Sequence, residues 1–198
     1  MMINTTNSKV VCVGRNYVEH INELNNEIPS NPVIFIKPNT AISKSLKLIK
    51  GRELHYECEI IFAFDRSSKI CAVGVGLDIT DRDLQSELKA KKLPWELAKS
   101  FDNSAVISDF ITIDESKVPY LSFKAYKNGK LIQHGSYDLM MYKPQQVIDF
   151  LKKSNISLCQ NDLLMTGTPK GVGIINPDDT FILELSCNEE VILEAEFK

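Results

Sequence analysis

Two carboxylates stand two residues apart in Leu54-His55-Tyr56-Glu57-Cys58-Glu59-Ile60-Ile61-Phe62-Ala63-Phe64, a run otherwise suited to a protein interior. In a strand, residues i and i+2 leave the same face, so Glu57 and Glu59 point together while Cys58, Ile60, Phe62 and Phe64 line the other. Neighbouring carboxylates repel, and unpaired burial of either costs on the order of several kcal/mol, so something positive belongs beside them. An exposed edge strand, or a lysine or arginine paired across the sheet, answers that need as well as a metal does. Asp78 supplies a third oxygen donor. In Gly74-Val75-Gly76-Leu77-Asp78-Ile79-Thr80-Asp81-Arg82-Asp83, Thr80 reads as a helix N-cap with Asp83 three residues on, which gives Asp81 and Asp83 work at the positive helix end. Asp78 has no such task and stands where a strand ends. Three hard oxygen donors, Glu57, Glu59 and Asp78, suit Mg2+ or Mn2+; zinc would favour His or Cys. His55 shares the parity of the two glutamates and is read as a hydrogen-bonded strand-entry residue, not as a fourth ligand.

Further candidates lie outside this stretch. His20 and Glu23, three apart in a helix-like segment, share a face, and a carboxylate-oriented imidazole is a base that titrates near neutrality. Ordinary exposed helix faces carry the same pairing without function. Lys99 sits in Pro94-Trp95-Glu96-Leu97-Ala98-Lys99-Ser100-Phe101, where its ammonium either steadies an oxyanion or snorkels to the surface. Thr166-Gly167-Thr168-Pro169-Lys170-Gly171-Val172-Gly173 is glycine-rich enough for its amides to approach a small anion, yet it matches neither the P-loop nor the dinucleotide fingerprint.

The elements that must position these groups are mainly strands. Runs of β character cover Lys9–Val13, Val33–Ile36, Glu57–Phe64, Ala105–Ile113, Leu163–Thr166, Thr180–Ser186 and Val191–Phe197. A hairpin is expected over Leu121–Gly135, with Asn128-Gly129 as its turn. Helical spacing is confined to Asn16 to about Asn25, Asp81–Lys92 and Pro144–Lys153, the last behind a proline suited to a first turn. Strands with a few helices, lacking regular βαβ alternation, predict an α+β, mostly β fold.

The chain has 198 residues, 43% of them hydrophobic and 25% charged, with no linker-like tract or repeat, so one unit over residues 1–198 is expected. A net charge of −3 and dispersed basic residues argue against nucleic acid as a partner; the densest basic cluster, Lys89 to Lys92, shares its segment with Asp81, Asp83 and Glu87. The first residues, MMINTTNSKV, have neither a basic nor an apolar leader pattern and no run approaches a membrane span, so no membrane partner and a cytoplasmic location are expected. Five widely spaced cysteines, with no C-x-x-C pair, read as free thiols.

The motifs occur in a telling order: G-R-N-Y-x-x-H-x-x-E, F-x-K-P (Phe35, Lys37, Pro38), E-x-E, L-D-x-T-x-R-D-x-Q, L-P-W-x-x-A-K-S-F-D, N-G-x-x-x-Q and T-G-T-P-x-G-V-G. From about Val11 to Phe197 the chain resembles the fumarylacetoacetate hydrolase family, most closely its small single-domain branch of acylpyruvate hydrolases and oxaloacetate decarboxylases. The resemblance implies a mixed β-roll with a few short helices, usually dimeric, so a homodimer is expected. It implies that Glu57, Glu59 and Asp78 hold Mg2+ or Mn2+, and that His20 and Glu23 form a water-activating dyad on a mobile N-terminal segment. It also implies that Arg82, Gln85 and Lys99 grip substrate oxygens and that Thr168 meets a substrate carboxylate. The activity it implies first is carbon–carbon hydrolysis of a 2,4-dioxo acid, an acylpyruvate or fumarylpyruvate, through a metal-stabilised pyruvate enolate. Oxaloacetate decarboxylation or keto–enol isomerisation would use the same site, and a non-catalytic keto-acid binder is the remaining alternative.

Overall fold

The computed structural model describes residues 3–24 and 26–198. Its frame is a curled mixed sheet of eight strands, and the fold is mostly β. From one edge the strands run Val33–Lys37, Val10–Gly14, Leu163–Met165, Cys58–Phe64, Ile70–Asp78, Ala105–Ile107 and Ile42–Ser43, with Ile111–Thr112 also paired to Ile70–Asp78. Val10–Gly14 runs parallel to Leu163–Met165, and Ile42–Ser43 parallel to Ala105–Ile107; the other pairs are antiparallel. A second, antiparallel sheet takes Lys130–Ser136, Leu121–Lys127, Phe181–Cys187 and Glu190–Phe197 in that order. A small third sheet joins Gly173–Ile174, Leu54–Tyr56 and Thr80–Asp81.

Period-two alternation sorts the large sheet's side chains into two apolar sets. Val11, Val13, Cys58, Ile60, Phe62, Val73, Val75 and Leu77 pack with Phe123, Ala125, Phe181, Leu183 and Leu185 of the second sheet. Val10, Cys12, Ile61, Ala63, Ala72, Ala105 and Met165 make the other set, joined by Phe35 and Phe110. Glu59 and Asp78 have the parity of this second set, so both are carried into the interior of the curl. Because Cys58–Phe64 lies between two hydrogen-bonded neighbours and is buried throughout, the exposed-edge alternative for the glutamates is excluded.

Most expected elements form close to their predicted limits, with four informative differences. Glu57 belongs to no strand; it joins Leu54–Tyr56 to Cys58–Phe64, where the chain leaves one sheet for another. Ala105–Ile113 divides in two because the pairing to Ile70–Asp78 slips by one residue between Gly76↔Ile107 and Val73↔Ile111. In that bulge the Ser108 hydroxyl accepts from Val75 N at 3.0 Å. Helix α2 (Arg82–Ala90) is capped by Asp81, whose carboxylate accepts from Leu84 N at 3.1 Å, while Thr80 is committed to a β pair with His55. Helix α1 spans Val18–Glu23, and Asn25, where the predicted helix ends, lies outside the described residues. Helix α3 (Pro144–Lys153) and the hairpin are as expected, Asn128 and Gly129 taking φ of 51° and 78°.

Candidate active site

Glu57, Glu59 and Asp78 each present an oxygen such that these atoms lie within 4.8 Å of one another, and all three residues are buried. Backbone pairing builds the cluster. Glu59 lies opposite Gly76, and Asp78 N donates to Glu57 O at 2.8 Å, so the corner at Glu57 is closed onto the end of the Ile70–Asp78 strand. Gly76 is required there: a Cβ would meet Val106 O at 2.3 Å.

Cations converge on this carboxylate group. Lys99 Nζ donates to Glu57 Oε2 and to Asp78 Oδ2, both at 2.7 Å, and Arg82 Nη2 donates to Glu57 Oε1 at 2.6 Å. Lys99 is only 3% exposed, so the snorkelling alternative is wrong; it is stacked over the Phe35 ring at 5.3 Å from its centroid. Burial alone would raise the Glu57 carboxyl, but Lys99 and Arg82 override it and hold the group well below the usual carboxylate range. Burial and repulsion from Asp78 instead push Glu59 well upward, with Gly167 N donating to Glu59 Oε2 at 2.7 Å as partial relief. Lys99 is driven upward: burial opposes its charge, and Asp78 and Glu57 more than restore it.

Lys37 was quoted in the sequence only as part of F-x-K-P, and the structure gives it a place in the cluster. Its Nζ donates to Ser104 Oγ at 2.9 Å and to Lys99 O, and lies 2.8 Å from Asp78 Oδ1. That last contact is a charge contact and not a hydrogen bond, since Asp78 Oδ1 is a buried oxygen with no donor aligned on it. A lysine closing the apolar strand Val33–Lys37 was the available signal, because a fully buried ammonium demands a carboxylate nearby.

An unaligned buried oxygen on Asp78, a Glu59 carboxyl disfavoured as an anion, and all-oxygen donors within 4.8 Å together fit a hard divalent cation. His55 is not in the group; its Nε2 contacts Glu53 Oε1 at 3.1 Å.

A cleft of ≈ 190 Å³ opens on the cluster and is lined by His20, Glu57, Asp78, Arg82, Gln85, Lys99 and Thr168, so most of the expected site residues share one space. Arg82 Nη1 donates to Gln85 Oε1 at 2.9 Å, the i,i+3 contact expected on one face of α2. On α1, His20 is buried and its Nδ1 is 3.1 Å from Glu23 Oε2, while Glu23 Oε1 accepts from Gly171 N at 3.0 Å. The pair is therefore tied to the glycine-rich loop, with His20 buried and Glu23 exposed. Arg15, Lys89 and Trp95, which sequence reading passed over, also line the cleft. Lys89 lies over the Trp95 ring at 5.9 Å; partial desolvation and the neighbouring Arg15, Arg82 and Lys99 bring its pKa down to about 8.

Residues 9–195 match the model of the fumarylacetoacetate (FAA) hydrolase C-terminal family. The chain is 35% identical over 204 residues to the oxaloacetate tautomerase FAHD1, mitochondrial, of Rattus norvegicus, covering 96% of this chain and 90% of that protein. It is 32% identical over 188 residues to the mitochondrial oxaloacetate decarboxylase of Dictyostelium discoideum, covering 87% and 86%. Among solved structures, fumarylpyruvate hydrolase from Pseudomonas aeruginosa in complex with Mn2+ and pyruvate superposes with a TM-score of 0.85 at 26% identity, covering 96% of this chain and 88% of that one. The relatives' mitochondrial names overturn the cytoplasmic expectation, which rested on features that report membrane insertion and secretion and do not discriminate between compartments inside the cell. With the motifs, the curled sheet and the matched residues in agreement, the chain belongs to the fumarylacetoacetate hydrolase family.

Proposed function

We propose that this protein is a divalent-cation-dependent enzyme that forms and reprotonates the enolate of a small 2-oxo acid, with oxaloacetate as its first substrate to test. The observation that carries this reading is the buried Glu57, Glu59 and Asp78 cluster, whose Glu57 and Asp78 line a cleft together with His20, itself in contact with Glu23. The cation, Mg2+ or Mn2+, would be held by those three carboxylates and would polarise the 1-carboxylate and 2-oxo oxygens of the substrate. Arg82, held by Gln85 and Glu57, supplies a fixed guanidinium for the substrate's oxygens, and Lys99 supplies an ammonium to developing negative charge. Thr168 offers a hydroxyl to the carboxylate. His20, oriented through Nδ1 by Glu23, takes a proton from C3 and returns it, which interconverts keto and enol forms. Loss of CO2 from oxaloacetate would instead leave the enolate of pyruvate, which the same groups can stabilise and protonate.

Oxaloacetate, a dianion, is preferred to a monoanionic acylpyruvate such as acetylpyruvate because Arg15 and Lys89 add positive charge to the cleft wall beyond what one substrate carboxylate needs. Hydrolytic cleavage of an acylpyruvate or fumarylpyruvate is the second reading, supported by the dyad, in which His20 would deprotonate an attacking water. One catalytic domain over residues 1–198, assembled as a homodimer, completes the proposal. Incubating the protein with oxaloacetate, acetylpyruvate and fumarylpyruvate, with Mg2+ or Mn2+, tests it by following enol absorbance, CO2 release and pyruvate formation. Acceleration of any of these that EDTA abolishes and Glu57→Gln lacks is expected. Saturable binding without turnover across the panel, or turnover indifferent to EDTA, overturns it.

A further inference from the structure

Gln133 is 2% exposed in the strand Lys130–Ser136, and no step above uses it. Its amide orientation is fixed by its partners. Cys58 N, at 3.0 Å, is a donor and must meet Oε1; Pro169 O, at 2.7 Å, is an acceptor and must meet Nε2. The remaining hydrogen on Nε2 is donated to Thr168 Oγ1 at 2.8 Å. A hydroxyl has one proton and two lone pairs, so an oxygen already accepting from Gln133 has its own proton free to donate elsewhere. Thr168 lines the cleft, and among the described residues no acceptor takes that proton. The Cys58 amide at the other end of Gln133 belongs to the segment between Glu57 and Glu59.

We propose that Gln133 is a positioning residue: it fixes the polarity of the Thr168 hydroxyl as a donor to the substrate carboxylate and ties the Thr168 loop in register to the Glu57–Glu59 segment. This rests on the keto-acid reading above. The loop it holds is also pressed close, since a Cβ on Gly171 would meet Ile132 O at 2.2 Å and Gln133 Cγ at 3.3 Å. Gly171 N in turn donates to Glu23 Oε1, so the same loop also meets the partner of His20. An apolar side chain of similar length would leave Cys58 N and Pro169 O unpaired and let the Thr168 hydroxyl turn its proton onto the protein.

The test is pyruvate binding to the Mn2+-loaded protein by calorimetry, which needs no turnover and so fails independently of the functional reading. Gln133→Met and Thr168→Val should each weaken pyruvate about tenfold or more, the loss of a buried hydrogen bond to a charged group. The double variant should be no weaker than Thr168→Val alone, and Mn2+ affinity should stay within about twofold of the parent. Should Gln133→Met not fold, Gln133→Asn, which keeps the amide but withdraws it by one methylene, takes its place in the cycle. Losses that add in the double variant, unchanged pyruvate affinity in the single Gln133 variant, or an equal loss of Mn2+ affinity would overturn the proposal.

Discussion

Asp78 is 1% exposed and has two buried ammonium groups against it, Lys99 and Lys37. Asp78→Asn strands Lys37 and leaves Lys99 with Glu57 alone, so unfolding in urea with EDTA present should show a loss of about 3–5 kcal/mol, the usual range for breaking a buried pair. Combining it with Lys37→Met should recover part of that loss, because one uncompensated charge is then gone. Lys89 presents the opposite case, a cation among cations. Its folded-state value lies near 8 against an ordinary 10.5, owing to partial desolvation and then to Arg15, Arg82 and Lys99. Between those pH values the unfolded chain binds more protons than the folded one, so stability rises with pH there and the penalty is present in full below about pH 8. Lys89→Met should therefore raise the thermal midpoint at pH 7, with the gain shrinking as pH rises toward 10.5. The same variant should raise KM for oxaloacetate more than for acetylpyruvate. No reading of local spacing finds Lys89 as a site residue, because its partners come from distant segments.

Helix α1 is fastened to the glycine-rich loop by two contacts of unequal worth. The Glu19–Lys170 pair at 3.1 Å has both side chains more than half exposed and should contribute little; Glu23 Oε1 on Gly171 N also orients His20. Lys170→Ala should leave turnover within about twofold of the parent. Glu23→Ala should lower kcat by roughly a hundredfold or more, the range for a lost base orienter. At the strand Ile70–Asp78, Gly76→Ala places a methyl on Val106 O and should destabilise the fold by about 1–3 kcal/mol, measured by denaturant titration. The sequence announced only that a strand ends at Asp78; its glycines hid the length of this nine-residue element, since they carry no apolar pattern. The bulge at Ser108 was equally invisible, being a property of the pairing and not of either strand.

At the scale of the whole molecule, a cation binding only the folded cluster must stabilise the fold by mass action, by about 2.7 kcal/mol at a hundred times its dissociation constant. Addition of Mn2+ should raise the thermal midpoint of the parent and do so far less for Glu59→Gln. Much of this organisation was legible beforehand. Period-two alternation marked most strands, Asn128-Gly129 marked the hairpin, and residue chemistry picked out Glu57, Glu59 and Asp78 as hard oxygen donors. The ordered motifs named the family, and the resemblance pointed to Arg82 and Gln85, which share one face of α2. These are local properties, written within a few residues of chain. Tertiary structure alone decided that Glu57 turns a corner between sheets, that Lys99 is drawn inward to bridge it to Asp78, and that Lys37, Arg15 and Lys89 join the site. Charges separated by tens of residues have no periodicity linking them; only the curl of the sheet brings them within reach, where low polarity makes each need the others.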